Sequence, residues 1–367
     1  MKKQLLLLFT LILCHISISY TMEKANSHDG KELFKLIRTF NLANKKQARD
    51  ISTPIFINDK FIAFAALDVI KIWDIETNQC IQTLQDCEPI TNIIQSQDGK
   101  KLISYALLNN IKTWELASGT CLKTIPCKVS AISPDGSLYT VIKEESNWSY
   151  SNYTIEIYDT STNILKYSIK NDINNRNIKF SPDNSKFIAE SSHCQHAICD
   201  IKTNSITSIN GAGWRTKYAF NPTNSAQVAL INIMHETEDK SDSSEGEDNS
   251  DSESEDKEST EDIIEIWDSA TKNYFKQFKF NDIDLDTDLL HRSPCFSPDG
   301  RYFLMNSEKE GTIKIWDFEN NICLQTIFTT IKFGSLFFSP DGTKFALAGT
   351  DKETQSYVLN IYQLEDI

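Results

Sequence analysis

A strand motif that recurs seven times constrains the fold of this 367-residue chain more than any other feature. In each copy, aliphatic residues alternate with polar ones and lead into an aromatic residue or its equivalent, which is typical of a half-buried strand. A polar turn and a further strand follow most copies, as at residues 76–84. The copies lie at residues 70–74, 111–115, 155–159, 197–200, 264–268, 313–317 and 359–363.

A second turn signal lies upstream of each copy. Its full form, Ser-Pro-Asp-Gly, occurs at residues 133–136, 297–300 and 339–342, and variants occur at 58–59, 97–99, 181–184 and 221–224. Proline presets one turn dihedral and Gly or Asn accepts the left-handed one, so these segments predict hairpin turns between apolar strands. Each repeat is therefore expected to contain four strands.

The spacing of the repeat indicates one closed domain. Successive aromatic or equivalent residues are 41, 44, 41, 68, 49 and 46 positions apart, and the interval of 68 falls to 41 without the acidic residues 236–262. Four-stranded units of about 40 to 45 residues with a Trp-Asp pair are the signature of propeller blades. The repeat positions are Trp73, Trp114, Tyr158, Cys199, Trp267, Trp316 and Tyr362.

These segments, above all residues 313–317 with 323–327 and the same series from Ile70, resemble the WD-repeat family. The resemblance covers nearly the whole chain after the N-terminal leader. It implies an all-β, seven-bladed β-propeller with four-stranded antiparallel blades that serves as a platform for protein complexes. The family's Gly-His dipeptide is missing, since Asp86 and Cys87 stand in its expected place, and Glu310 replaces an expected Asp. We therefore expect the family's buried network of Trp, Ser or Thr, His and Asp to be incomplete.

The two ends of the chain predict how the ring closes. Residues 33–40 resemble the strand that follows a Trp-Asp turn, whereas the last copy, at Tyr362, has no such strand after it. We expect the N-terminal strand to complete the last blade, which removes exposed sheet edges. The predicted organisation is a signal peptide at 1–21, a propeller at 30–367 and a disordered acidic insertion at 236–262 within the fifth blade.

Residues 1–21 predict export. Lys2 and Lys3 precede an apolar run at residues 5–18 and then small residues, which is the order of a secretory signal peptide. The run is shorter than the ~20 residues that span a bilayer. The sequence before Cys14 resembles a lipoprotein box, but the bulky Leu13 makes lipidation the lesser alternative. We expect a periplasmic or extracellular protein with no membrane insertion after cleavage.

Eight cysteines lie outside this leader, an even number that is compatible with four disulfides in an oxidising compartment. However, Cys80, Cys121 and Cys323 recur at one point of the repeat, where a small apolar residue packed inside a sheet is the simpler explanation. We therefore expect these three to be buried thiols.

The formal net charge of −14 is concentrated in residues 236–262, which hold fourteen Asp or Glu and two Lys. The nearly neutral remainder lacks the clustered basic surface that nucleic acid binding needs, so we expect no nucleic acid partner. The acidic segment has no aromatic residue and cannot bury enough apolar surface to fold alone. Two hypotheses stay open: a flexible ligand for a basic partner or calcium, with serines open to phosphorylation, or a passive solvating insertion.

Two aromatic groups are predicted on the face formed by the loops between strands two and three and by the connections between blades. One comprises Trp148, Tyr150 and Tyr153 in the third blade, and the other comprises Trp214 with Arg215. Exposed Trp, Tyr and Arg dominate the energetics of protein interfaces, so these are the candidate partner-binding residues. The alternative is that the rings fold back over blade edges.

Signals for metals and catalysis are weak. His193, Cys194 and His196 could join Cys199 in a zinc site, but such a site needs four converging donors. Residues 282–288 resemble the start of a calcium loop, without the Gly at position six and the Glu at position twelve. No catalytic His pairing or phosphate-binding loop is recognisable, so we predict no catalytic residue, metal or cofactor.

Three functional hypotheses follow. The repeat and the leader favour an exported, monomeric, non-enzymatic scaffold that binds other proteins. The second hypothesis is a periplasmic envelope-complex component similar to the Tol-system propellers, whose repeats also use the Ser-Pro-Asp-Gly turn. The third is a hydrolase centred on the propeller channel, since propellers can carry active sites there.

Overall fold

The computed structural model describes residues 26–27, 33–43, 51–106, 110–147, 150–171, 178–190, 196–209, 217–232, 262–271, 273–280, 294–307 and 311–365. Within these ranges the chain forms strands and turns. No helix long and apolar enough to cross a membrane occurs in this part of the chain.

The strands form seven antiparallel sheets, here called blades one to seven. The N-terminal strands β1 (Asn26–Ser27) and β2 (Phe34–Ala43) join later blades. Blade one contains β3 (Ile55–Phe56), β4 (Phe61–Ala66), β5 (Val69–Asp74) and β6 (Gln79–Gln85). Blade two contains β7 (Asn92–Gln95), β8 (Lys101–Ala106), β9 (Asn110–Glu115) and β10 (Cys121–Ile125). Blade three contains β11 (Ala131–Ile132), β12 (Leu138–Asn147), β13 (Tyr150–Asp159) and β14 (Leu165–Asn171).

The remaining blades follow the same order. Blade four contains β15 (Ile178–Phe180), β16 (Lys186–Glu190), β17 (His196–Asp200) and β18 (Ile206–Ile209). Blade five contains β19 (Lys217–Asn221), β20 (Asn224–Asn232), β21 (Asp262–Asp268) and β22 (Asn273–Phe280). Blade six contains β23 (Cys295–Phe296), β24 (Tyr302–Ser307), β25 (Thr312–Asp317) and β26 (Ile322–Phe328). Blade seven contains β27 (Ile331–Phe338), β28 (Lys344–Asp351) and β29 (Tyr357–Leu364), with β2 as its outermost strand.

The blades surround a common axis and form the predicted seven-bladed propeller. First strands of neighbouring blades contact each other, as β11 contacts β15 and β19 contacts β23, so they line the centre. Buried apolar residues form seven clusters, and each cluster joins two adjacent blades. Every blade is thus held by both neighbours, and burial of apolar area between blades stabilises the ring.

The N-terminal strand closes the ring, as predicted. β2 pairs antiparallel with β29, with Phe34 opposite Leu364 and Phe40 opposite Leu359. The Phe34 ring is 5.7 Å from Tyr302 in blade six and 5.0 Å from Phe345 in blade seven, between ring centroids. At the other end of the strand, Phe40 packs edge-on against Trp73 of blade one. β2 therefore connects three successive blades.

The predicted hairpin turns are confirmed. In the Ser-Pro-Asp-Gly segments, Gly136, Gly300 and Gly342 have φ between 71° and 72°, and Asn184 has φ of 57° in the variant of blade four. The serine and aspartate close each turn by hydrogen bonding: Ser133 Oγ donates to Asp135 Oδ1 over 2.6 Å and accepts from the backbone N–H of Leu138. The Ser-Pro-Asp-Gly motif therefore has a structural role in these turns.

One feature precedes the predicted start of the propeller at residue 30. β1 pairs with β26 as a fifth strand on the outer edge of blade six, with Asn26 opposite Thr326 and Ser27 opposite Gln325. Two polar residues carry no strand periodicity, and the sequence alone therefore gave no signal for this pairing.

Candidate binding face

The propeller has two chemically different faces. Strands alternate in direction within a blade, so loops from the second to the third strand and connections from the fourth strand to the next blade emerge together. We call this side the loop face; its described connections lie at residues 67–68, 86–91, 126–130, 329–330 and 352–356. The opposite side, the turn face, carries the first-to-second and third-to-fourth turns.

Carboxylates of the turn face are engaged in hydrogen bonds of the turns themselves. The Asp that follows the repeat aromatic accepts the backbone N–H three residues later, as in Asp74 with Thr77 and Asp317 with Asn320, both over 2.8 Å. In blade four, the backbone N–H of Thr203 and the ion pair with Lys186 lower the pKa of Asp200 to about 2. Since these carboxylates stabilise local turns, they are poorly suited to recognise a ligand.

The repeat aromatic residues are also structural. Trp73, Trp114, Tyr158, Trp267, Trp316 and Tyr362 all lie in the third strand of their blades, and Cys199 occupies the same place in blade four. Each side chain packs into the cluster shared with the preceding blade. These seven positions therefore hold neighbouring blades together.

Blade three carries the most prominent described feature of the loop face. β12 and β13 have ten residues each, whereas the corresponding strands of blades one and two have six. They pair as far as Asn147 opposite Tyr150, but β14 pairs with β13 only as far as Tyr153. Three residue pairs thus continue beyond the blade as a two-stranded ribbon, which spans roughly 10 Å at the usual rise of a strand.

Polar contacts brace the base of this ribbon. Tyr153 is half-buried and its hydroxyl donates to Glu144 Oε1 over 3.4 Å. Lys143 Nζ lies 2.8 Å from Glu156 Oε1 in an ion pair. Both contacts lie where the ribbon leaves the blade, and Glu144 stays exposed to solvent.

Of the five predicted partner-binding residues, the structure describes one side chain, that of Tyr153. Tyr150 is the first residue of β13, and its side chain lies outside the described residues, as do Trp148, Trp214 and Arg215. In sequence, residues 148–149 connect β12 to β13, and residues 210–216 connect β18 of blade four to β19 of blade five.

A buried ion pair fixes the connection between blades one and two. Lys112 of β9 pairs with Asp86, and their side chains are 12% and 3% exposed. Burial acts to lower the pKa of Lys112, but hydrogen bonds to Asp86 and Cys87 outweigh this effect and raise the pKa above its usual value. Asn110 also donates to Glu88 Oε2 over 3.0 Å. This connection is therefore anchored at several points, which suits a rigid surface.

The described connections of the loop face carry charges of both signs. They contain the carboxylates of Asp68, Glu88 and Glu353 and the ammonium groups of Lys128 and Lys352, while Asp86 is paired with Lys112. In sequence, the acidic segment 236–262 follows β20 and ends in β21, the second and third strands of blade five. The segment itself lies outside the described residues, apart from Asp262 at the start of β21.

Comparison with known families adds a sequence match to this geometry. Residues 291–317, which span most of blade six, match the family described as WD domain, G-beta repeat. The matched residues include the Ser-Pro-Asp-Gly turn at 297–300 and the strand that contains Trp316 and Asp317. The blade that they form is one of seven in the ring. The chain is a WD-repeat β-propeller. A comparison with curated proteins finds none that matches.

The buried WD-repeat network is reduced in this propeller, as expected. Trp114 Nε1 donates to Ser104 Oγ over 2.9 Å, with both side chains buried. The strand pairing places apolar residues at the position of Ser104 in the other blades: Phe64, Val141, Ala189, Leu230, Met305 and Leu347. Asp86, in place of the family's Gly-His, instead forms the ion pair with Lys112. Apolar packing therefore replaces most of the network in this WD-repeat protein.

The prediction of buried thiols is wrong for Cys80 and Cys121, which are exposed, while Cys323 is half-buried. Each lies on an outermost strand opposite the Trp of the third strand, next to a β-bulge. Periodicity identified a repeated position, but it could not tell an inner strand from the outer one, whose edge is open to solvent. All seven cysteines within the described residues are free thiols.

The described residues contain no group of three or more His, Cys, Asp or Glu that could hold a metal ion. His196 and Cys199 are both fully buried in β17. Burial raises the pKa of the Cys199 thiol to about 12, which opposes the thiolate form that zinc requires. His193, Cys194 and residues 282–288 lie outside the described residues.

A recurring contact between blades was missed in the sequence. The residue after the bulge of the outermost strand is a long polar side chain in four blades, and it reaches the next blade. Arg38 donates to the carbonyl of Glu76, and Lys123 donates to the carbonyl of Ser161. Gln325, 1% exposed, accepts from the backbone N–H groups of Leu33 and Phe34. The sequence signal for this contact was a long polar residue at the same position of the fourth strand in several repeats. Gln82 is the fourth example.

Proposed function

We propose that this WD-repeat propeller is an exported, monomeric, non-enzymatic scaffold that presents its loop face, with the acidic insertion, to basic protein partners. WD-repeat propellers are typical protein interaction scaffolds and are generally non-enzymatic. The proposal rests on the observation that the two faces of the propeller carry different features. Repeat motifs stabilise the core and the turn face, whereas the ribbon of blade three projects from the loop face. We propose that the segment between β20 and β21 extends from the same face.

Charge favours a basic partner for this face. The acidic segment contributes −12 to the net charge of −14. Fields of one sign steer oppositely charged partners and raise the association rate, an effect that salt screens. A packed ring with an acidic segment between β20 and β21 combines fast electrostatic capture with a docking surface.

The binding experiment compares three proteins that start at residue 22. The first has the full sequence, the second replaces residues 236–261 with a Gly-Ser linker of equal length, and the third carries Trp148→Ala and Trp214→Ala. Asp262 is retained because it begins β21. Each is immobilised and exposed to a lysine-rich peptide and to periplasmic extracts at two salt concentrations.

We expect the linker protein to lose the lysine-rich peptide and to associate more slowly with any captured basic protein, with less dependence on salt. The Trp double variant should keep the fast association and dissociate more quickly, because aromatic anchors act mainly on the dissociation rate. Identical binding by all three proteins would contradict the proposal that the loop face is the interface.

Export is tested separately. Fusion of residues 1–30 to alkaline phosphatase, which is active only after export, should give phosphatase activity in a bacterial host. Replacement of Lys2 and Lys3 by Glu should reduce that activity, since a positive charge precedes the apolar run of a signal peptide. Equal activity with and without residues 1–21 would contradict the signal peptide.

A further inference from the structure

The outermost strands form the circumference of the propeller, and one of them is covered. β26 of blade six pairs with β25 on its inner side and with β1 on its outer side. In blade one, the corresponding strand β6 pairs with β5 alone among the described strands. The chain itself thus shows that an extended segment can add to an outer edge of this propeller.

Covering this edge changes the exposure of equivalent side chains. Cys323 and Leu324 are half-buried in blade six, whereas Cys80 and Ile81 are exposed in blade one. Thr326, which lies opposite Asn26 of β1, is half-buried, whereas the equivalent Thr83 is exposed. The residues are equivalent because Cys323 lies opposite Trp316 as Cys80 lies opposite Trp73. The edge of blade one is the uncovered counterpart of that of blade six.

The edge of blade one also lacks the charges that usually protect exposed strands. Outer strands normally carry Lys or other charged residues that prevent further pairing. β2 has Lys35 and Arg38, β14 has Lys166 and Lys170, and β22 has Lys276 and Lys279. β10 has Lys123, and β18 is uncharged but only four residues long. β6, with the sequence QCIQTLQ, is uncharged over seven residues, and Ile81 is 51% exposed.

We propose that β6 binds an extended, uncharged segment of a partner protein as an added antiparallel strand, in the way that β1 adds to β26. Main-chain hydrogen bonds supply affinity in this mode of recognition, and alternate side chains supply specificity. Thr83 favours a β-branched residue opposite it, since such cross-strand pairs stabilise sheets, and Ile81 at the β-bulge adds exposed apolar area beside it. The surface is separate from the loop face, so the two interfaces operate independently.

The ribbon of blade three is a weaker candidate for strand addition. β12 pairs with β11 only at Tyr139 and Thr140, so its later residues also have an open edge. That edge includes Lys143, Glu144 and Glu145, which are the charges that discourage pairing.

The experiment uses the protein that starts at residue 22 and a fluorescent ten-residue peptide of alternating Val and Thr. A second peptide of the same sequence carries N-methyl groups on alternate amides, which removes their hydrogen-bond donors. Fluorescence anisotropy measures binding, and amide hydrogen exchange of residues 79–85 measures protection of the edge. The double variant Ile81→Lys/Thr83→Lys introduces the missing charges, and Ile164→Lys is the matched control on an exposed apolar residue outside a strand.

We expect saturable binding of the first peptide, protection of residues 79–85, and affinity at least about five-fold weaker for the double variant, because it removes the cross-strand pair of Thr83 and the apolar contact of Ile81. Ile164→Lys and the Gly-Ser replacement of residues 236–261 should leave the affinity unchanged, so failure of the loop-face proposal does not affect this result. No saturable binding at millimolar peptide, or equal binding of the N-methylated peptide, would overturn the proposal. Concentration-dependent dimers that Ile81→Lys abolishes would overturn it in favour of a second copy of the chain as the occupant.

Discussion

At the scale of single residues, the bond between Trp114 and Ser104 is the clearest buried polar contact of the repeat network. In blade one the position of Ser104 is held by Phe64, and Trp73 Nε1 is buried without a hydrogen-bond partner among the described residues. Apolar packing therefore tolerates the loss of this bond in one blade, although a buried donor without an acceptor carries a cost in stability.

Ser104→Ala is expected to lower the free energy of unfolding by about 1–3 kcal/mol, because it leaves Trp114 Nε1 buried without an acceptor. Urea unfolding followed by tryptophan fluorescence measures the change. Ser118→Ala, in the exposed turn of the same blade, is the control and should stay within about 0.5 kcal/mol of the parent. A loss in the control as large as that of Ser104→Ala would show that the buried bond is not the cause.

Asp200 is expected to make the stability of the fold depend on pH in the acid range. Its pKa is lowered to about 2 by the Thr203 backbone N–H and by Lys186, so its ionised form is favoured in the folded state. A folded-state pKa below the ordinary value of 3.8 contributes stability that is complete above that value and is lost as pH falls toward about 2.

We expect Asp200→Asn to cost about 1 kcal/mol at pH 7, because it breaks a partly buried ion pair. The difference from the parent should shrink as pH falls from 4 to 2, and urea midpoints across this range measure it. A difference that is constant with pH would assign the loss to packing and not to the carboxylate.

At the scale of elements, β2 depends on two phenylalanines that face opposite neighbours. Phe34 is 1% exposed between blades six and seven, and Phe40 is 2% exposed against blade one. Phe34→Ala is expected to destabilise the fold by about 3–5 kcal/mol, as is typical of a buried Phe. Ile37→Ala, on the same strand but 41% exposed, should cost far less. Chemical denaturation of both variants measures these losses. A small loss for Phe34→Ala would indicate that β2 lies on the ring without stabilising its closure.

Some strands and turns could be predicted from the sequence, and others could not. The strands around Trp73 and Trp316 and the Ser-Pro-Asp-Gly turns follow from alternation and turn chemistry, which act locally. The exposed position of Cys80 and the addition of β1 to β26 do not, because both depend on which strand is outermost. The length of the ribbon in blade three also escaped prediction, since polar residues such as Glu145 and Asn147 extend a hairpin without an apolar pattern.

At the scale of the whole molecule, the predicted number of blades and the closure by β2 are confirmed because ring geometry leaves few alternatives for seven equal repeats. The candidate site was less predictable. Repeat motifs reveal the residues that every blade needs, and these prove to be structural, as Trp114 and Asp200 illustrate. The proposed partner recognition rests on loops that break the repeat, where Tyr153 is the one predicted side chain that the structure describes.

The claim that β2 closes the ring is tested most directly by the thermal unfolding of two variants of the protein that starts at residue 22. One lacks residues 30–42, and the other replaces residues 236–261 with a short Gly-Ser linker. If β2 closes the ring, the first deletion should lower the unfolding midpoint by more than about 10 °C or abolish a cooperative transition, since it removes both buried phenylalanines. The second should shift the midpoint by no more than about 3 °C, because an insertion at a loop tip contributes little to the core. The opposite order, or equal shifts, would contradict a propeller closed by its N-terminal strand.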